Sequence, residues 1–120
     1  MKHAISIIIP TWNCDQYFIP CVTSIIKTGV LNSGFCELIV INNGVSPVKQ
    51  QMAGVPNVKV LEPGKNLGWE GGLKLGLEHS EAPFVCFQND DTFIPQSQPM
   101  FYTKLLHPFD DPKVAQVGPT

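Results

Sequence analysis

Charge is scarce in this chain and is gathered nowhere. Charged residues make up 15% of the 120, eight basic against ten acidic, for a net charge of −2. Without a basic stripe there is no electrostatic footprint for nucleic acid, and nothing to hold an anionic membrane surface. Long apolar runs are also missing, and no window approaches the ~20 residues that a membrane-spanning helix needs. Met1-Lys2-His3 leads straight into a strand-like segment, without the apolar region and small-residue cleavage site of a secretory signal. The four cysteines, Cys14, Cys21, Cys36 and Cys86, form no Cys-x-x-Cys pair, so zinc-ligand spacing is absent. Three of them sit among apolar residues and read as reduced, mostly buried thiols of a cytoplasmic protein. No repeat, low-complexity tract or linker divides the chain, and its length is that of one domain able to bury roughly two-thirds of its unfolded surface.

What is present alternates. Ala4 to Ile9 is β-branched and nearly continuous, Phe35 to Ile41 has Leu38-Ile39-Val40-Ile41 at its centre, Val58 to Leu61 reads as a short third strand, and Phe84 to Phe87 is an apolar run without a wet face. Such runs suit strands buried on both sides. Between them lie helical patterns. From Asp15, a plausible N-cap, Phe18, Cys21, Val22, Ile25 and Ile26 follow one helical face, with Gly29 closing the helix and Pro20 tolerable only in its first turn. Ser46 to Ala53 suits a short helix over the rim. Trp69 to Ser80 predicts another, with Trp69, Leu73 and Leu77 on one face, Glu70 paired to Lys74, and His79 near the C-terminal end of the dipole. Its glycines, Gly71, Gly72 and Gly76, each cost roughly 1 kcal/mol against alanine, so close packing on a sheet or a ligand's approach must repay them. Ser97 suits the cap of a last helix with Pro99 in its first turn and Met100, Phe101 and Leu105 inward; Pro108 ends it, and Val114 to Val117 reads as a final strand. Strands alternating with helices predict an α/β fold, a mostly parallel sheet with helices on both faces.

Three of the strands end in polar corners: Thr11-Trp12-Asn13, Asn42-Asn43-Gly44 and Asn89-Asp90-Asp91. Each alone is an ordinary turn, and Asp90 or Asp91 can simply cap the next element. In a parallel sheet, however, all three face the same edge, where α/β proteins bind ligands. Two adjacent ionised carboxylates call for a cation, and Mg2+ or Mn2+ carrying a diphosphate supplies one. Carboxylates at one end and amide and hydroxyl groups at the other match the polarity of a nucleoside diphosphate. The loop Pro63 to Gly68 precedes a helix whose N-terminus can offer N–H groups to an anion.

Four stretches in order carry a resemblance. Ser6-Ile-Ile-Ile-Pro-Thr-Trp-Asn13, Glu37-Leu-Ile-Val-Ile-Asn-Asn-Gly44, Asn66-Leu-Gly-Trp-Glu-Gly-Gly72 and Asn89-Asp90-Asp91 resemble the opening strand and loop, the second strand, the N-x-G-aromatic-x-x-G loop and the D-x-D metal motif of family-two nucleotide-sugar glycosyltransferases. The closest flavour is rhamnosyltransferase-like. The resemblance covers nearly the whole chain and implies the Rossmann-like nucleotide-binding half of a GT-A fold. It implies that Pro10, Thr11 and Asn13 line a nucleoside pocket, and that Asn66, Gly68 and Gly71 shape the wall beside diphosphate and sugar. Asp91 would bind the metal, Asn89 would replace the first acid of the motif, and Asp90 would contact ribose or metal. Asn42 stands where the family usually has an aspartate that bonds the base; an amide donates as well as accepts, which alters base preference. The implied donor is UDP- or dTDP-linked.

Family members continue into an acceptor-binding half that carries the general base. The chain is therefore expected to be a donor-binding half, truncated before that region or a naturally short relative; Asp110 and Asp111 read as a solvated turn rather than substitutes. Its exposed sheet edge suits a homodimer. A non-catalytic nucleotide-binding or assembly module on the same fold is the second reading. A phospho-receiver domain would need acids after the first strand, where Thr11-Trp12-Asn13 stands.

Overall fold

The computed structural model describes residues 2–118; Met1, Pro119 and Thr120 lie outside the described residues. Four strands form the sheet: β1 (Ile5–Thr11), β2 (Cys36–Asn42), β3 (Val58–Leu61) and β4 (Phe84–Phe87). All pairings are parallel and the order is β3-β2-β1-β4. The chain winds outward from β1 through β2 to β3, then returns to place β4 on the other side of β1. The topological switch point thus falls between β1 and β4. Every residue of β1 and β2 is buried, as their largely apolar runs predict.

Alternation along the strands divides the core. Ile5, Ile7, Ile9, Leu38 and Val40 face one layer with Phe18, Cys21, Val22 and Ile25 of α1 (Asp15–Lys27), Val30 and Leu31 of α2 (Val30–Ser33), Val48 of α3 (Val48–Gln51) and Tyr102 of α5 (Phe101–Leu106). Ile8, Ile39 and Ile41 face the opposite layer, beneath α4 (Gly68–Glu78). Helices therefore cover both faces.

Several local expectations need correction. Pro20 is the sixth residue of α1, not in its first turn. Gln16 and Pro20 both lie on the exposed face, so water can take the carbonyl that proline leaves without a donor. Cys14, not Asp15, occupies the cap position, and Asp15 accepts instead from Gln51 Nε2 at 3.2 Å. Ile26 points outward while Ser24 points in; the Ser24 hydroxyl accepts from the Ile94 N–H at 2.9 Å and donates to the Cys21 carbonyl, which makes its burial inexpensive. Trp69 and Leu77 are exposed, and α4 meets the sheet through Gly72 and Gly76. β4 is an edge, with Val85 and Phe87 36% and 49% exposed, because no helix covers it on the α4 side. The last helix begins at Phe101 after an exposed Met100, and Pro108 sits in a 3-10 turn, His107–Asp110. Val114 to Val117 forms no strand. It lies beside β4 with only two β-branched side chains to offer, too little to hold a four-residue edge.

At the N-terminal edge of the sheet a buried carboxylate fastens the turn after α4. Glu37 Oε2 accepts from the Ser6 hydroxyl at 2.6 Å and from the Glu81 N–H at 3.0 Å, and Oε1 lies 3.2 Å from Lys59 Nζ. Burial pushes the Glu37 pKa up, but the hydroxyl, the N–H and the ammonium together outweigh it and hold the carboxyl below its ordinary value. Its contribution to stability is thus complete above the ordinary glutamate pKa and is lost as pH falls through the lower, folded-state value. Replacing Glu37 with glutamine should cost about 1–3 kcal/mol at neutral pH and flatten the acid side of a stability-against-pH curve followed by urea denaturation.

Candidate functional site

The three polar corners meet on one edge of the sheet. Thr11 and Asn42 end β1 and β2 in direct register, and the Asn43 N–H continues the ladder to the Thr11 carbonyl at 2.8 Å. Across the switch point, the Thr11 hydroxyl donates to Asp90 Oδ2 at 2.9 Å. The acidic corner is thereby joined to the hydroxyl and amide corners, as the sequence required of a single rim.

The corners are braced by their own amides. Asn13 adopts a positive φ of 48°, a region that asparagine tolerates better than most residues, and its Oδ1 accepts from the Val45 N–H at 2.8 Å and the Ser46 N–H at 3.3 Å. Asn42 is buried and engaged within its own loop: Nδ2 donates to the Ser46 carbonyl at 2.9 Å and Oδ1 accepts from the Gly44 N–H at 3.1 Å. Asn43, which the motif comparison passed over, reaches the start of α4. Its Oδ1 accepts from the Leu67 N–H and its Nδ2 donates to the Gly68 carbonyl, each at 3.2 Å. Strand parity could have found it, since Ile39, Ile41 and Asn43 alternate onto the face that α4 covers. Asn66 Oδ1 accepts from the Gly68 N–H at 2.8 Å, so two amides at this helix start already have partners.

Pro10, Thr11, Asn66, Gly68 and Asp90 line one shallow depression of about 250 Å3, together with Trp12, Asn43 and Trp69. The first five are among the residues expected there. Trp12, Asn43 and Trp69 are the unforeseen ones, and the two tryptophans are 55% and 44% exposed. Asn13, Asn42, Gly71, Asn89 and Asp91 do not line it. Gly71 lies within the first turn of α4, and Asn89 and Asp91 stand exposed on either side of Asp90.

Among the described residues no group of three or more His, Cys, Asp or Glu side chains is placed to hold a metal. The donor set at the acidic corner is two adjacent carboxylates and an amide. That set suits Mg2+ or Mn2+ shared with phosphate oxygens and water, since Mg2+ commonly takes one or two carboxylates plus substrate phosphates. It does not suit a closed, all-protein site. The thiols are no alternative: all four are free, and burial pushes Cys36 up to about 12 and Cys86 up to about 11.

No curated protein sequence matches the chain. Among solved structures, crystal structures of S. aureus TarS are similar. One has a TM-score of 0.72 at 20% identity over 89% of this chain and 20% of that one. TarS 1-349 in complex with UDP gives 0.71 at 21% identity over 86% and 32%. TarS 1-349 alone gives 0.70 at 18% identity over 98% and 38%. The chain thus spans well under half of these structures, and at such identity they show its fold alone: α/β with a parallel sheet, as in GT-A glycosyltransferases. A family model described as glycosyl transferase family 2 matches residues 6–120, nearly the whole sequence, and the chain belongs to that family.

Proposed function

We propose that this chain is the donor-binding half of a glycosyltransferase, taking a UDP- or dTDP-linked sugar together with Mg2+ or Mn2+. The observation that carries the reading is the Thr11–Asp90 hydrogen bond, which puts the acidic corner and the amide-bearing corners on one rim at the switch point. The nucleoside would lie over Pro10, Thr11, Asn13 and Asn42, and the diphosphate toward Asn66, Gly68 and Gly71. Asp91 and Asn89 would hold the metal, with Asp90 between metal and ribose. The sequence contains no arginine, so the bidentate fork that often clamps phosphates is missing and a cation has that charge to meet. When bound, the metal would neutralise the departing diphosphate.

In the transfer itself, an acceptor hydroxyl oxygen attacks the anomeric carbon as the bond to the diphosphate breaks, and the diphosphate leaves with the bonding electrons. The proton goes to a general base expected in an acceptor-binding half. Free thiols favour a reducing, cytoplasmic setting, and the open β4 edge favours pairing of two copies.

Calorimetric titration of UDP, dTDP and GDP, each with and without Mn2+, tests the reading. UDP or dTDP should bind at least tenfold more tightly with the metal. Equal, metal-independent affinity for all three would refute it. Metal-dependent binding supports donor recognition, and sugar transfer to an acceptor is what would separate an enzyme from a nucleotide-binding or assembly module.

A further inference from the structure

Beneath the acidic corner runs a chain of polar side chains that is buried at Tyr102 and Gln88 and reaches the surface at Thr92. Tyr102 is fully buried in the core and Gln88 is 7% exposed. The Tyr102 hydroxyl lies 2.6 Å from Gln88 Oε1, Gln88 Nε2 lies 2.9 Å from Thr92 Oγ1, and Thr92 Oγ1 lies 2.8 Å from the Asn89 carbonyl. The direction of these bonds follows from the last of them. A carbonyl only accepts, so the Thr92 proton goes to Asn89. Thr92 must then accept from Gln88, the amide must turn its NH2 toward Thr92 and its oxygen toward Tyr102, and the phenol must donate. Burial pushes the Tyr102 pKa up, so the phenol keeps its proton.

The two ends of this chain differ in kind. Gln88 is fixed to the sheet, its N–H donating to the Ile8 carbonyl at 3.0 Å. Asn89 is the first residue of the exposed acidic turn. The Cys21 thiol adds a weaker contact, 3.8 Å from the Asn89 carbonyl and 3.7 Å from Thr92 Oγ1. An apolar core would have accommodated phenylalanine at 102 without any buried hydroxyl to satisfy. The Tyr102–Gln88 bond is buried, so it is costly to break singly, and with its partner satisfied it fixes the orientation of the Gln88 amide.

We infer that the Tyr102–Gln88–Thr92 relay sets the position of the Asn89–Asp91 turn, which makes Tyr102, a core residue that does not line the rim, a positioning residue for metal and diphosphate. This rests on the donor reading above. The relay acts through the Asn89 carbonyl: held there, the turn presents Asp90 to Thr11 and leaves Asp91 facing outward.

The test is the ratio of UDP affinities with and without Mn2+, measured by calorimetry on the unaltered chain, Tyr102→Phe, Thr92→Val, the double variant, and Ile5→Val as a mildly destabilised control far from the rim. Tyr102→Phe should lower the ratio about tenfold, about 1.4 kcal/mol, with a smaller fall in metal-free affinity, because the same turn presents Asp90 to Thr11. Thr92→Val should lose about as much, and the double variant no more than either. Ile5→Val should keep the full ratio, since loss of stability alone does not change it. An unchanged ratio in Tyr102→Phe, an equal fall with and without metal, or additive losses in the double variant would each overturn the relay while leaving the donor reading intact. No Mn2+ effect in the unaltered chain would overturn both.

Discussion

Asp91→Ala should abolish the Mn2+-dependent part of UDP binding and leave the melting temperature almost unchanged. Asp91 is exposed and makes no hydrogen bond or ion pair within the described residues, so the fold has little to lose. Substitution at such surface positions usually stays within ~0.5 kcal/mol. The effect on binding is of another order. Removing groups that merely orient a metal's ligands already costs 10–100-fold in affinity, so losing a carboxylate ligand should cost about 100-fold or more. Asp91→Asn keeps an oxygen but removes the charge, and should fall between. Asp90→Ala should behave differently, because Asp90 also receives the Thr11 hydroxyl. It should lower both stability and metal-free UDP affinity, and Thr11→Val should reproduce that part alone. Retention of the full Mn2+ effect in Asp91→Ala would place the metal elsewhere.

How much of this was legible in the chain depends on range. The sheet was readable because Ile5 to Ile9 and Leu38 to Ile41 carry no polar alternation, which only strands covered on both faces can afford. The rim was readable because each of those strands stops at hydroxyl or amide residues, and parallel strands bring their ends to one side. Phe84 to Phe87 misled for the same reason that the others informed: its composition is that of a covered strand, and its openness depends on which helices lie across it, a long-range fact. Ile26 and Ser24 exchanged places because helical spacing scores hydropathy and takes no account of the Ile94 N–H that Ser24 satisfies. Trp69 was expected inward from its spacing with Leu73 and Leu77, yet glycine, not tryptophan, lets α4 approach the sheet. The part played by Tyr102 was not legible, since its partner lies 14 residues away across the turn.

That close approach sets up the largest expected effect on stability. In isolation Gly76→Ala should stabilise a helix by nearly 1 kcal/mol. Within this fold a Cβ at position 76 would run into Ile8 Cγ2 and stand 3.0 Å from Ile41 Cδ1. Ile8 and Ile41 are both fully buried, in the two central strands, so neither can swing into solvent. The collision must push an isoleucine off its rotamer or lift α4 from the sheet. We expect Gly76→Ala to cost about 1–3 kcal/mol net, and Gly76→Val more than 3 kcal/mol, by chemical denaturation. Lifting α4 would also draw Gly68 and Trp69 from the rim, because Asn43 ties the start of that helix to the end of β2. The alanine variant should therefore weaken UDP binding with and without metal alike, unlike Asp91→Ala. Adding Ile8→Ala removes the methyl in the way, so the double variant should cost less than the two single losses combined. Were Gly76→Ala instead to raise the melting temperature, helix propensity would outweigh packing, and the glycines of α4 would owe their place to something other than contact with the sheet.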